Sequence, residues 1–226
     1  MTDVPDMRTR FNLRVAAPRL PALIVGLLLF GAGIALMVEA GLGLGPWEAL
    51  HQGIARHTGL EIGTVSVLLG IPILALWWPL GERPGIGTLL NVAIIGASTN
   101  LVIALLPTPA EDATAVRLAV MLAGVVVIAL GSGIYLSTDL GPGPRDGLMT
   151  GVHHRFGWSI RRARTAVELS VLGLGWALGG TVGIGTMVFA LGIGPLVQVA
   201  LRAFDREGRL GRWRRARLEQ EGVIGD

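Results

Sequence analysis

Two carboxylates are the first candidates for chemistry, because each follows a Gly-Pro pair at the same spacing. Glu48 ends the motif Gly45-Pro-Trp-Glu48, and Asp146 ends the motif Gly143-Pro-Arg-Asp146. Proline suits the first position of a helix, where its missing N–H has no partner to lose, and a carboxylate in the first turn complements the helix dipole. Each motif therefore predicts the start of a short helix. The two carboxylates either contact a solute or only stabilise these helix starts.

Two further charged residues lie within or beside apolar sequence. Arg145 precedes Asp146 and has the geometry to bind an anionic group through two hydrogen bonds, or it pairs with its neighbours. Glu168 lies inside a long apolar stretch, one helical turn after Arg164. Because residues four apart meet on a helix, Glu168 either couples transport to a proton or cation or forms an ion pair with Arg164.

Three amides in the apolar stretches are further candidates: Asn91, Asn100 and Gln198. The last two occupy equivalent positions of a repeat described below, so they are expected to face each other across its axis or to form helix–helix hydrogen bonds. The candidate substrate path comprises Glu48, Asp146, Arg145, Glu168, Asn100, Gln198 and Asn91. The predicted starts of the short helices are Gly45, Pro46, Gly143 and Pro144.

The sequence offers no set of residues for catalysis or for metal binding. It contains no cysteine, and no nucleophile with a matching base is recognisable. His153 and His154 are adjacent, so on a helix their side chains diverge and cannot share a metal ion. We therefore expect neither an enzyme nor a bound cofactor or metal.

Composition places the chain in a membrane. Of its 226 residues, 51% are hydrophobic and only 15% are charged, against about 25% in soluble domains. The mean hydropathy is +0.61. The net charge is only +3, and the arginines cluster beside apolar segments, which argues against a nucleic-acid partner. The lipid bilayer is the expected partner, and the expected fold class is an all-α polytopic membrane protein.

Six apolar segments are long enough to cross a bilayer, for which about 20 residues are needed. They cover residues 20–38, 62–80, 86–106, 117–136, 160–178 and 184–203. Placing both termini in the cytoplasm leaves only Arg56 and Arg117 of all the arginines outside, as the positive-inside rule requires. The basic tail 205–226 is then either an anchor on the inner membrane surface or a partner-binding segment.

The chain repeats itself at an offset of 98 residues without a gap. Residues 42–53 align with 140–151, and residues 81–88 align with 179–186, with glycines and prolines in register. Each copy contains three spans, so the second copy enters the membrane from the opposite side. The sequence thus predicts two inverted three-helix repeats, a plan that recurs in secondary transporters.

The repeat defines the expected organisation of the chain. A cytoplasmic segment (1–19) precedes the first repeat (20–106), an external loop (107–116) joins it to the second repeat (117–204), and the basic tail (205–226) follows. In each repeat a short helix follows the first span, at residues 46–57 and 144–156. Each is too short to cross a bilayer, and it either re-enters the membrane from one face or lies flat on the interface.

Three stretches of the sequence carry a resemblance to a known family. They are GLGPWEALHQG (43–53), GERPGIGTLLN (81–91) and GPGPRDGLMTG (141–151). These stretches resemble the YczE branch of the YczE/YyaS/YitT family of bacterial membrane proteins. Members of that family usually have Asp after Gly-Pro-Trp, where this chain has Glu48 and so retains the carboxylate. The resemblance implies a protein of the bacterial plasma membrane and implies no reaction.

Two functions fit these observations. The first is a small transporter or permease that moves an unidentified small solute by opening alternately to each side of the membrane. The second is a non-transporting membrane component that assists a partner system or a regulatory pathway. Glycine-lined first helices are also compatible with a homodimer.

Overall fold

The computed structural model describes residues 16–110 and 112–205. Residues 1–15, residue 111 and most of the basic tail, residues 206–226, lie outside the described residues, so neither interpretation of that tail is tested. Within the described ranges the chain forms eight long or medium-length helices and no strand. The helices are α1 (Leu20–Ala40), α2 (Pro46–Thr58), α3 (Ile62–Leu80), α4 (Ile86–Leu105), α5 (Thr114–Ser137), α6 (Pro144–Phe156), α7 (Ile160–Ala177) and α8 (Ile184–Phe204).

Five of these helices are long and apolar enough to cross a membrane: α1, α3, α4, α5 and α8. Their outward-facing side chains are largely apolar, as in Leu101 and Leu191, which suits contact with lipid rather than with water. The chain is therefore an all-α, multi-pass membrane protein, as the composition predicts.

The helix α7 differs from the fifth span that the sequence predicts, residues 160–178. It has 18 residues and begins at Ile160, but it is not among the helices that are apolar enough to cross by length and composition. The physical reason is its first half, which carries Arg161, Arg162, Arg164 and Glu168. Ionised side chains in a bilayer are costly unless they face protein or water.

The short helices α2 and α6 share their start and their end. Each begins at a proline that follows an extended glycine, Gly45 or Gly143. Each ends at a glycine in the left-handed conformation, with φ of +71° at Gly59 and +68° at Gly157. Glycine adopts this conformation without steric cost, so it terminates both helices. Thirteen residues give each helix a length of about 20 Å, which is shorter than the hydrocarbon core.

The centre of the fold is the contact between α1 and α5, which run antiparallel. A Cβ built on Gly26 would lie 2.9 Å from the carbonyl oxygen of Gly131, and one on Gly33 would lie 2.8 Å from that of Gly124. Only glycine allows backbones to approach so closely, as at many helix contacts in membranes. Under the offset of 98, Gly26 corresponds to Gly124 and Gly33 corresponds to Gly131. The contact of Gly26 with Gly131 is therefore equivalent to the contact of Gly124 with Gly33, and each half contributes equivalent glycines.

Two backbone hydrogen bonds tie the halves together in the same manner. The N–H of Gly87 donates to the carbonyl of Leu140, and the N–H of Gly185 donates to the carbonyl of Leu42, both at 2.8 Å. The first bond fixes the start of α4 to the turn before α6. The second fixes the start of α8 to the turn before α2. These two bonds are related by the offset of 98.

One helix pair departs from this regularity. Helices α3 and α4 pack closely: the carbonyl oxygen of Gly96 leaves no room for a Cβ at Gly63. The equivalent helices α7 and α8 make no comparable contact in the described part of the chain. A Cβ on Gly194, the equivalent of Gly96, meets no described atom within 4 Å. Arg161 and Glu168 stand where α3 has Gly63 and Gly70, so bulky side chains replace the glycines of the close contact.

Candidate functional site

A cavity of about 300 Å³ lies where the N-terminal ends of α2 and α6 meet. All eight helices contribute to its wall. Its volume is at the lower end of the range of small-molecule sites, about 300–1,000 Å³. Of the candidate residues, Glu48, Asp146, Arg145, Glu168, Asn91 and Gln198 line it, together with Pro46, Gly143 and Pro144.

Many residues of the cavity wall form pairs that are 98 positions apart. Such pairs are Phe30 with Ile128, Trp47 with Arg145, Glu48 with Asp146, Ser66 with Arg164, Gly70 with Glu168, and Ile95 with Ile193. The cavity therefore takes equivalent positions from both halves of the chain. The two side chains of a pair mostly differ, so equivalent positions of the two halves carry different charges.

An ion pair joins the first turns of α2 and α6 across the cavity. The Nη1 atom of Arg145 lies 2.7 Å from the Oε1 atom of Glu48. Only 3% of the Glu48 side chain is exposed, against 24% of Arg145. The Cζ atom of the same guanidinium lies 5.3 Å from the ring centroid of Trp47, within cation–π distance. Arg145 thus contacts a carboxylate and an aromatic face that both belong to the other short helix.

Two buried side chains at this contact have spare hydrogen-bonding capacity. Neither carboxylate oxygen of Glu48 accepts a hydrogen bond of regular geometry from a described residue, although Oε1 forms the ion pair with Arg145. The Nε1 atom of Trp47 is likewise buried and finds no acceptor among the described residues. Buried polar groups are normally hydrogen-bonded, so these atoms are available to a further group inside the cavity.

The second carboxylate, Asp146, has a different environment. Its Oδ2 atom accepts a hydrogen bond of 3.2 Å from the hydroxyl of Tyr135 on α5. Asp146 lines the cavity as well, and as a whole residue it is more exposed than Glu48. The equivalent carboxylates thus have different partners, Arg145 for Glu48 and Tyr135 for Asp146.

The third carboxylate of the wall is Glu168, and it pairs within its own helix. The Nε atom of Arg164 lies 2.9 Å from its Oε1 atom, one helical turn away. This is the ion pair that the spacing of the two residues allows. Both side chains are also part of the cavity wall. The described wall therefore carries three carboxylates and two guanidinium groups, and Asp146 lies in the field of both arginines.

The amides are divided between the cavity and a helix contact. Asn91 and Gln198 line the cavity, whereas Asn100 is not part of its described wall. Asn100 accepts a hydrogen bond from the N–H of Gly63 at 2.7 Å and donates to Glu61 at 2.7 Å. It therefore holds α3 against α4, and the structure does not bring it to Gln198 in the cavity.

Gly45, the remaining predicted helix start, lies behind Glu48. A Cβ at this position would approach the Oε2 atom of Glu48 to 2.5 Å. Gly45 therefore leaves room for the buried carboxylate.

Three residues at the site were not recognised from the sequence. Tyr135 and His51 line the cavity and are buried, and Trp77 donates from Nε1 to the carbonyl of Pro144 at 3.0 Å, fixing the start of α6. A lone tyrosine inside a predicted span was the available signal for Tyr135. Trp77 gave no such signal, because a tryptophan near a helix end is typical of a membrane interface.

The helices and the charged cavity define the class of this protein as a multi-pass, all-helical membrane protein with an internal polar site. Residues 17–202 match the model of a family described as "Family of unknown function (DUF6198)". The chain belongs to that family.

Three relatives bear on the resemblance to the family of YczE and YyaS. The chain is 35% identical to an uncharacterized membrane protein YczE of Bacillus subtilis, over 78% of this chain and 82% of that protein. It is 29% identical to the uncharacterized protein YyaS of the same organism, over 80% and 92%. An uncharacterized protein of Haemophilus influenzae is 41% identical, over 81% and 84%. The resemblance is confirmed, and no solved structure matches the chain.

Proposed function

We propose that this protein is a small transporter that carries a solute through the cavity by alternating access. The observation that carries the proposal is the cavity itself, whose wall combines equivalent residues of both halves around Glu48 and Asp146. Transporters of this plan bind their solutes where two inverted repeats meet, next to the ends of short or broken helices.

Several contacts support the inverted repeat and six crossings. The antiparallel contact of α1 with α5 and the two hydrogen bonds from Gly87 and Gly185 are what a two-fold axis in the membrane plane would produce. Two of the four charged residues of α7 that weigh against a crossing, Arg164 and Glu168, line the cavity. A sixth crossing through α7 would therefore expose them to water or protein rather than to lipid.

The environment of α2 and α6 favours re-entrant helices over helices lying on the interface. Their first residues, Pro46 and Pro144, are buried beside the cavity, whereas their last residues, Thr58 and Phe156, are exposed. A re-entrant helix has one end at membrane depth and one end at the surface. Both N-terminal ends would then bring their positive dipole ends to the cavity.

The helices α3 and α4 pack closely, whereas the equivalent helices α7 and α8 do not, and this difference supports alternating access. One pair is closed through Gly63 and Gly96, while the equivalent pair is parted beside Gly194. With both termini in the cytoplasm of a bacterial cell, the parted pair faces inward. If α3 and α4 moved apart while α7 and α8 closed, the cavity would open to the outside. In this proposal the protein is a carrier of the plasma membrane and not an enzyme.

Single cysteines test the proposal, since the sequence contains none of its own. Ser66 lines the cavity, and Ser66→Cys is a minimal change. In sealed membranes we expect a membrane-impermeant maleimide to label this cysteine from both faces. Thr58→Cys and Phe156→Cys, at equivalent exposed positions, serve as controls and should each react from one face, the two faces being opposite. Labelling of Ser66→Cys from one face only would refute alternating access and favour a non-transporting accessory component.

A further inference from the structure

We infer that the solute of the cavity is a small monovalent organic cation that displaces the Arg145 guanidinium from Glu48 and Trp47. This inference rests on the proposed function and gives its site a class of substrate. It rests on the position of the buried Glu48 carboxylate beside the face of Trp47. The guanidinium of Arg145, from the opposite short helix, contacts both.

The chemistry of the occupied site is that of cation recognition. A carboxylate supplies charge, and the face of a tryptophan ring attracts a guanidinium or an ammonium group. Arg145 supplies such a group, with Nη1 at 2.7 Å from Glu48 and Cζ at 5.3 Å from the Trp47 ring centroid. A solute with the same head group would make the same contacts.

The contact with Arg145 is incomplete, so a free cation has bonds to gain. The oxygens of Glu48 accept no hydrogen bond from the described residues, although the side chain is almost fully buried. Arg145 itself is a tethered side chain, and its contact with Glu48 is the one between Nη1 and Oε1. A solute free to rotate in the cavity can direct its N–H groups at both oxygens.

The side chains of the described wall include three carboxylates and two guanidinium groups. The positive dipole ends of α2 and α6 at the cavity offset the excess carboxylate, so the preference for a cation rests on the buried pair of Glu48 and Trp47 and not on the total charge of the wall. A cation that replaced Arg145 at Glu48 would leave the Arg145 side chain, which is 24% exposed, to turn toward solvent.

Arg145 would act as an internal competitor, and this makes the inference measurable. Removing a competitor tightens solute binding, whereas removing a binding residue weakens it. We would measure binding by calorimetry on the purified full chain, with methylguanidinium as the cationic probe and methanesulfonate as the anionic probe. We expect methylguanidinium to bind wild-type protein weakly and Arg145→Gln at least about tenfold more tightly.

Two further variants keep the experiment decisive. Glu48→Gln in the Arg145→Gln protein should abolish the gain, because the carboxylate is the proposed partner of the probe. Arg145→Lys keeps the charge but loses the planar contact with Trp47, so it should show an intermediate gain and can replace Arg145→Gln if that variant does not fold. Size-exclusion profiles and thermal unfolding would check the fold of each variant.

Three outcomes would overturn the inference: no binding of methylguanidinium to any variant, weaker binding to Arg145→Gln than to wild type, or binding of methanesulfonate that Arg145→Gln abolishes. The proposed function fails separately. If Ser66→Cys reacts from both faces but no cation binds, the carrier stands and its substrate class is wrong. If cations bind as expected but Ser66→Cys reacts from one face, the protein is a cation-binding membrane component and not a carrier.

Discussion

Arg145 on α6 and Glu48 on α2 are 97 residues apart in sequence, and their side chains meet at 2.7 Å between Nη1 and Oε1. This contact joins the first turns of the two short helices at the cavity. It connects equivalent segments of the two halves, so any movement of one half against the other must break it or carry both helices together. The stability of the fold and the access to the cavity therefore depend on the same pair.

Neutralising Glu48 is expected to destabilise the protein. Glu48→Gln removes the charge that compensates Arg145, whose side chain is only 24% exposed. Leaving a buried polar or charged group without its partner costs about 1–3 kcal/mol. Glu168→Gln is the matched control, because its ion pair with Arg164 is more exposed and is expected to contribute about 0–1 kcal/mol. Unfolding in mixed micelles would measure both, and an equal loss in the two variants would contradict the prediction.

The close contact of α1 with α5 predicts a large difference between two Gly→Ala substitutions. In Gly26→Ala, the new Cβ would lie 2.6 Å from the backbone nitrogen of Tyr135, so the helices must separate. Overpacking of this kind costs about 1–3 kcal/mol. In Gly173→Ala, the Cβ meets no described atom within 4 Å, and alanine is expected to stabilise the helix by about 0.5–1 kcal/mol. Thermal unfolding in detergent would compare the two, and destabilisation by both would argue against tight packing at Gly26.

The neighbouring residues Trp77 and Trp78 have different environments, so replacing each by phenylalanine should change the stability to a different extent. Trp77 is buried and donates to the carbonyl of Pro144, whereas Trp78 is 90% exposed. Trp77→Phe loses this hydrogen bond and part of the packing against Gly147, which we expect to cost at least about 1 kcal/mol. Trp78→Phe should leave the unfolding midpoint nearly unchanged. Equal midpoints for the two variants would show that the bond does not hold α6 in place.

The sequence predicts the local features of this fold better than its long-range contacts. The starts of α2 and α6 could be predicted because proline and glycine act on the backbone beside them. The ion pair of Arg164 with Glu168 could be predicted because both residues lie on one helix, one turn apart. These features depend on neighbours in the chain, and the chain order alone determines them.

The contacts of Arg145 and Asn100 could not be predicted in the same way. The sequence places Arg145 beside Asp146, yet its guanidinium pairs with Glu48 of the other half. Asn100 and Gln198 occupy equivalent positions, yet only Gln198 lines the described cavity. The reason is that Gly63 lets α4 pack on α3 and engage Asn100, whereas Arg161 occupies the equivalent position on α7. Equivalent positions therefore have different neighbours, and a repeat in sequence does not imply identical contacts.

The parted helices α7 and α8 give the last prediction, which concerns movement. Gly70→Cys with Val92→Cys on α3 and α4 is expected to form a disulfide at once, because a Cβ on Gly70 lies 3.5 Å from that of Val92. Thr165→Cys with Gly194→Cys tests α7 and α8 at the positions equivalent to Val67 and Gly96, which nearly touch. In the described conformation a Cβ on Gly194 meets no described atom within 4 Å, so this second disulfide requires the helices to close.

We expect the second pair to oxidise more slowly than the first but to completion, because a carrier visits the closed arrangement of α7 and α8 repeatedly. Counting free thiols with a polymer-linked maleimide after timed oxidation would measure both rates. Oxidation of Thr165→Cys/Gly194→Cys should then prevent labelling of a third cysteine at Ser66 from the inner face. If the second pair stays reduced while the first oxidises, α7 and α8 remain parted, and the two halves of the protein do not exchange their arrangements.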